Sequence, residues 1–333
     1  MLRRELLFKG IAAGAATFAL PRIASAATKP ERINIVCTQG TTQLMLSAVI
    51  NRMGYFSQFG LAPNIVNVAD GSKVVAALVS GDMDICPTSG FTQVLAAIEK
   101  GLPLKVIGGG AVKNFNALFS GNPAVKTLKD LEGRTVGVGA LGSQLHQIML
   151  ALFRKYGVNS SKVTFVNVGA STDVFRAVAA HTVDAGPAEI WLQHYAPGLH
   201  IVEHGKTFES LPEFINQAAF VSERAIAQKR DLIVKTLAAY AKAYRFIMSG
   251  DSQADFIAAS VTALGKNDPE AAKIQWTFWR QIQPFAADLL LKEDQVKFMQ
   301  DLNVATGAQK SVLPFGKVAD MSLARDALKL LGR

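Results

Sequence analysis

The stretch Ile65-Val66-Asn67-Val68-Ala69-Asp70-Gly71-Ser72-Lys73-Val74-Val75-Ala76-Ala77-Leu78-Val79-Ser80-Gly81-Asp82-Met83-Asp84-Ile85-Cys86 decides the fold class. A short run of β-branched residues is followed by an Asp-Gly-Ser start and an apolar helical pattern. Gly81 stops that pattern, and a second short strand follows over 83–86. Strand, capped helix and strand in about twenty residues is a βαβ unit, which places the two strands in a parallel sheet.

Working outward, the same alternation recurs on both sides. Upstream, a strand over 32–37 precedes a polar loop and a helix over 44–53. Downstream, Thr88-Ser89-Gly90 leads into a helix over 91–99, and 104–107 is a strand. A second series has strands at 135–138, 163–166 and 183–186. Its helices start at Gly142-Ser143 and Ser171-Thr172-Asp173. Gly81-Asp82-Met83-Asp84 in the first series parallels His181-Thr182-Val183-Asp184 in the second. From 222 onward the pattern is nearly all helix. These patterns predict an α/β protein of two lobes, each a mostly parallel sheet flanked by helices. The chain crosses over near 111–121 and returns near 217–222. Residues 32–112 and 220–333 then form lobe I, and 113–219 lobe II. Ligands of open parallel sheets sit beyond the carboxyl ends of the strands, so the cleft between the lobes is the expected site.

Composition narrows the function. Half of the 333 residues are apolar and 18% are charged, so the chain builds a large core. Two cysteines exclude a disulfide scaffold and a Cys-rich zinc module, and two buried free thiols are expected. His194, His200 and His204 match no metal-site spacing, and Gly108-Gly109-Gly110 lacks the Lys of a phosphate loop, so no metal or cofactor is expected. Residues 1–26 read as an export signal: Arg3-Arg4, an apolar run over 10–20, and Ala24-Ser25-Ala26 as a cleavage site. That run of 11 residues is shorter than the roughly 20 a bilayer span needs. The paired arginines resemble a twin-arginine signal, with the general secretory route as the alternative. Its removal leaves 31 basic and 25 acidic residues, a net +6 with no basic run, so nucleic acid is not an expected partner. The expectation is a periplasmic protein, soluble after cleavage.

Several ordered pieces carry a resemblance. They are Gly54-Tyr55-Phe56 with Gly60-Leu61, the run 76–84, LKDLEGRTVG at 128–137, Gly142-Ser143-Gln144-Leu145-His146, Phe175-Arg176-Ala177-Val178 and Val183-Asp184-Ala185. Together, over about 32–250, they resemble the solute-binding proteins of ABC importers in the nitrate/sulfonate/taurine group. The resemblance implies a type II periplasmic binding fold, acting as a monomer. It would close on a small organic anion, such as an alkanesulfonate or taurine-like compound, and deliver it to an inner-membrane permease with a cytoplasmic ATPase. Aromatic acids, pyrimidines and amines are alternative solutes, and the same clamp serves some membrane sensors. A thiamin-pyrimidine synthase-like enzyme shares the fold family, but that type looks like a Cys-cluster, iron-dependent protein and this chain has only Cys37 and Cys86.

Within that frame the candidate ligand-binding residues are Gln39, Thr41, Thr42, Ser89, Gly90, Gly142, Ser143, Gln144, Glu189 and Trp191. Gly142-Ser143 is similar to the turn that faces the anionic head group in sulfonate and taurine binders. Free N–H groups at a helix start attract an oxyanion and a Ser hydroxyl adds a donor, although Ser is also an ordinary N-cap. Thr41, Thr42 and Ser89 offer hydroxyls at two further helix starts, with simple capping as the alternative. His146, one turn inside its helix, reads as packing or as a support behind the contacts, with direct contact as the alternative. Glu189 with Trp191 could take an amino group and stack on a ring, or be a surface Glu and a core Trp.

Overall fold

The computed structural model describes residues 29–265 and 267–332; the export-signal reading of 1–26 lies outside them. The apolar run that opens the described chain forms β1 (Glu31–Thr38), with Ile33, Ile35, Val36 and Cys37 buried. It pairs in parallel, residue for residue, with β2 (Leu61–Val68). The helix Thr41–Arg52 connects the two, as a parallel pair requires. A parallel bridge between Ile35 and Ile85 carries β1 on toward β3 (Cys86–Ser89). With β4 (Leu104–Gly109) and β10 (Ala218–Ser222), β3 forms a sheet ordered β3-β10-β4. The other strands are β5 (Asn116–Ser120), β6 (Thr135–Val138), β7 (Thr164–Asn167), β8 (Ala185–Glu189) and β9 (His200–Lys206). They form a five-stranded sheet ordered β7-β6-β8-β5-β9.

The fold is α/β, as the sequence predicts, but its sheets are mixed. β10 runs antiparallel to β3 and β4, and β5 runs antiparallel to β8 and β9. Both strands fall in the stretches 111–121 and 217–222, where the sequence predicts crossings. Each enters its sheet from the other one, with no crossover helix inside its own sheet, so nothing forces it parallel.

Two strands also sit later than the sequence suggests: 83–86 becomes Cys86–Ser89, and 183–186 becomes Ala185–Glu189. The cause is the same in both series. Asp84 is buried, accepts from the Asn34 N–H at 2.9 Å, and gives its own N–H to Asn34 O. Asp184 accepts from the Thr135 N–H at 3.0 Å and gives its N–H to Thr135 O. Each Asp therefore anchors the approach to a strand rather than belonging to it. The residue three before each takes positive φ, 84° at Gly81 and 55° at His181.

From Ser222, which caps the helix Glu223–Met248 through Ala225 N–H, the chain is helical. The helices Gln253–Leu264 and Pro269–Ile282 bring Phe256 and Trp279 into an aromatic cluster with Phe115, Trp191 and Phe285. Trp279 is buried, and Trp276 gives its indole N–H to Ser252. No helix of the described residues is long and apolar enough to cross a membrane.

Candidate functional site

A cleft enclosing about 610 Å³, including the part open to solvent, lies where the carboxyl ends of β1, β2, β6, β7 and β8 meet the helices that follow. Its wall includes the starts of the helices Gly71–Ser80, Gln144–Tyr156 and Ser171–Ala179. Short strands ending in Gly-containing loops turn these N-termini inward, so backbone donors and the positive helix ends concentrate there. Asp70 accepts from the N–H groups of Ser72 and Lys73 and so caps one end, the turn-and-cap role read from the sequence. The charged residues in the lining are Asp70 and Glu189; it contains no Lys, Arg or His.

Ser143 is the N-cap residue of the helix Gln144–Tyr156, yet its hydroxyl makes no cap bond. Its Oγ is buried in the cleft wall without a partner. A buried hydroxyl without a partner loses its hydration for no return, so this atom is an open donor. Gly142, at φ 82°, gives its N–H to His146 Nδ1 at 2.9 Å and does not line the cleft. His146 packs edge-on against Phe165, as expected of it, and burial lowers its pKa. Gly90 and Gln144 meet across the cleft: a Cβ at Gly90 would come within 2.2 Å of the Gln144 amide oxygen. Gln39 also lines the cleft.

Glu189 ends β8, lines the cleft and is only 3% exposed. Among the described residues it has no cationic partner. Its oxygens accept from Thr41 Oγ1 at 3.0 Å, Thr42 Oγ1 at 3.0 Å, Ser171 Oγ at 3.1 Å and, more distantly, the Thr42 N–H at 3.4 Å. Trp191 Nε1, a donor only, points at Thr41 Oγ1 at 3.0 Å, which turns the Thr41 proton toward the carboxylate. Burial pushes the Glu189 carboxyl above its ordinary pKa, and the Thr41, Thr42 and Ser171 hydroxyls pull the other way. Thr41, Thr42 and Trp191 thus lie behind Glu189 rather than in the cleft wall, and Trp191 is a core residue against Phe115. Ser89 is set back as well: its hydroxyl accepts from the Thr38 N–H at 3.0 Å and fastens β3 to β1.

The candidates named from sequence do not include Gln43, Phe115, Asn116, Ser171, Asn216 and Gln217, which also line the wall. A signal existed. Asn216-Gln217 is an amide pair set between Phe214-Ile215 and the apolar strand Ala218–Ser222, where polar groups need a reason. The two cysteines are free and buried outside the lining. Contact with the Cys86 thiol and burial raise the Cys37 pKa well above its ordinary value.

Residues 42–254 match the model of the family described as NMT1/THI5 like, and the chain belongs to that family. Comparison with curated proteins finds no match. Among solved structures, a protein of Bordetella bronchiseptica is similar at TM-score 0.76 and 18% identity, over 91% of this chain and 98% of that one. The alkanesulfonate-binding protein SsuA from Xanthomonas axonopodis pv. citri, bound to MOPS, is similar at TM-score 0.69 and 16% identity, over 90% and 98%. The desulfurization enzyme DSZB is similar at TM-score 0.60 and 15% identity, over 90% and 100%. These likenesses show the fold, that of the periplasmic binding proteins.

Proposed function

We propose that the protein is the extracytoplasmic solute-binding component of an ABC importer. It works as a monomeric two-lobed clamp, of 32–112 with 220–333 against 113–219, exported by its signal to the periplasm. It captures a small organic anion, such as an alkanesulfonate or taurine-like compound, and hands it to a membrane permease with its ATPase. The observation that carries this reading is the buried, unpartnered Ser143 hydroxyl at a helix start inside the cleft. It is the place an oxyanion fits, and the family and the sulfonate-binding neighbour support it. Glu189 in the same lining favours an anion that also carries an amino group over a bare one. The likeness to a desulfurization enzyme raises catalysis as a second reading. Against a cysteine-based form of it, both thiols are buried away from the cleft and the Cys37 pKa is raised, which suppresses the thiolate.

A thermal-shift screen with taurine, alkanesulfonates, nitrate, aromatic acids and pyrimidines tests the proposal. A true solute at a hundred times its Kd adds about 2.7 kcal/mol of stability. Ser143→Ala leaves the backbone donors in place and should weaken binding by about 1–2 kcal/mol, roughly five- to thirtyfold. If that variant binds as tightly as the parent, the Gly142-Ser143 turn is no ligand site.

A further inference from the structure

The chain returns from the five-stranded sheet through Phe214-Ile215-Asn216-Gln217, and these last two side chains reach the cleft. Both are buried, at 1% for Asn216 and 5% for Gln217. The Gln217 backbone is clamped by the outgoing crossing: its carbonyl accepts from the Gly110 N–H at 3.0 Å, and its N–H donates to Ala111 O at 2.8 Å. Its side-chain carbonyl is turned away from the cleft, accepting from the buried Thr88 hydroxyl at 2.7 Å. The side-chain oxygen of Asn216 accepts from the amide of Gln144, itself a residue of the cleft wall.

An amide whose oxygen is occupied presents its NH2 group to whatever lies on the open side. Neither Gln217 Nε2 nor Asn216 Nδ2 has a partner among the described residues, and both residues line the cleft. The unpartnered Ser143 hydroxyl lines the same cleft, next in sequence to the Gln144 that holds Asn216. Two amide donors and a hydroxyl donor with no acceptor to serve constitute a receptor for an acceptor-rich group. The carboxylate of Glu189, in the same lining, repels a second anion and so fixes which end of the solute points where.

We infer that Asn216 and Gln217 hold the oxyanion head of the solute together with Ser143, and that Thr88 and Gln144 are positioning residues that keep the two amides turned donor-outward. The inference deepens the solute-binding reading and rests on it. It also places the head group against the return segment, where a contact acts directly on the strands that join the two sheets.

The test is calorimetric titration of the full chain and of Q217E, N216D and T88V with ethanesulfonate, with taurine and with ethylamine. Q217E and N216D replace a donor by an acceptor of the same shape, and each should lose at least tenfold in affinity for ethanesulfonate and taurine. Q217M, which keeps the length and has no amide, should lose a similar factor and serves if Q217E does not fold. T88V should keep its thermal midpoint within a few degrees and lose several-fold, because the Gln217 amide is then free to turn over. Parent-like affinity in Q217E, Q217M and N216D overturns the inference and leaves the solute-binding reading intact. So does a parent chain that takes ethylamine and neither sulfonate. A chain that binds none of the three, nor anything in the wider screen, overturns both.

Discussion

Glu189 has the oddest electrostatic position in the molecule: a carboxyl 3% exposed, with hydroxyls and one distant N–H for company. Burial in such a place penalises the charged form, and neutral donors offset the penalty in part. Its pKa in the folded chain is therefore raised from 4.5, chiefly by burial. The folded state holds the proton more tightly than the unfolded one, so the stability tied to that proton is complete below about pH 4.5 and fades as pH rises through the folded-state value. Glu189→Gln cannot ionise and lacks this component. Melting both chains between about pH 4 and pH 8 should show the parent losing stability relative to the variant as pH rises. A parent that gains on the variant with pH would mean that the hydroxyls favour the carboxylate outright. The sequence made Glu189 a candidate and stopped there. Its partners Thr41 and Thr42 lie 148 and 147 positions away, and no local pattern carries a pairing of that span.

At the scale of elements, the two Asp anchors are the clearest feature legible in the sequence and the clearest correction to it. The likeness of 81–84 to 181–184 signalled two equivalent units, and both Asp residues do bind the backbone of the first strand of their own series. What periodicity could not show is that an Asp spent on a backbone N–H lies outside the strand and pushes it two or three residues on. Asp184 also accepts from Asn122 Nδ2 at 2.9 Å and Thr135 Oγ1 at 2.8 Å, and Asp84 takes Lys229 Nζ at 2.8 Å. Asp→Asn at either site turns an NH2 group against a donor, so each should cost about 1–3 kcal/mol at neutral pH. For Asp184, burial alone would raise the pKa, but the Thr135 N–H and the Asn122 and Thr135 side chains outweigh it and hold it below 3.8. Its stabilisation is present above that value and is lost as pH falls through the folded-state pKa, so the D184N deficit should shrink in acid. Urea unfolding at about pH 7 and about pH 3 measures both. Parent-like stability of D184N at neutral pH would reduce the likeness of the two segments to coincidence.

On the scale of the whole molecule, the contacts across the cleft would set the terms of closure for the proposed clamp. Two chain crossings join the sheets, and their hydrogen bonds through Gln217 tie them to each other. The Trp191–Trp279 edge contact at 5.5 Å packs beside them through Phe115. Further links across the cleft are polar, from Thr41 and Thr42 to Glu189, Trp191 to Thr41 and Thr306 Oγ1 to Gln147 at 2.7 Å, and apolar, from Phe278 to Trp191 and Phe208 and in the cluster that joins Ile148 and Leu152 to Met299 and Leu302. Opening the cleft breaks these bonds and rehydrates their groups, for which each returns a net of only about 0.5–1.5 kcal/mol, somewhat more at the carboxylate. If the proposed clamp opens, it does so against these bonds and the apolar contacts beside them, and a solute that binds only the closed form would shift the population toward it. Replacing Thr41 and Thr42 together by Val removes the hydroxyl links, costs Trp191 Nε1 its acceptor, leaves Glu189 with Ser171 Oγ and the Thr42 N–H, and does not touch the Ser143 corner. Small-angle scattering should then find a larger radius of gyration for the unliganded double variant than for the parent, and a contraction of both on saturation with solute. The variant should also bind more weakly, because the solute must supply the closing energy those hydroxyls provided. Radii that are equal with and without solute in both chains would mean that the two halves do not move against each other, and that the solute enters a site already formed.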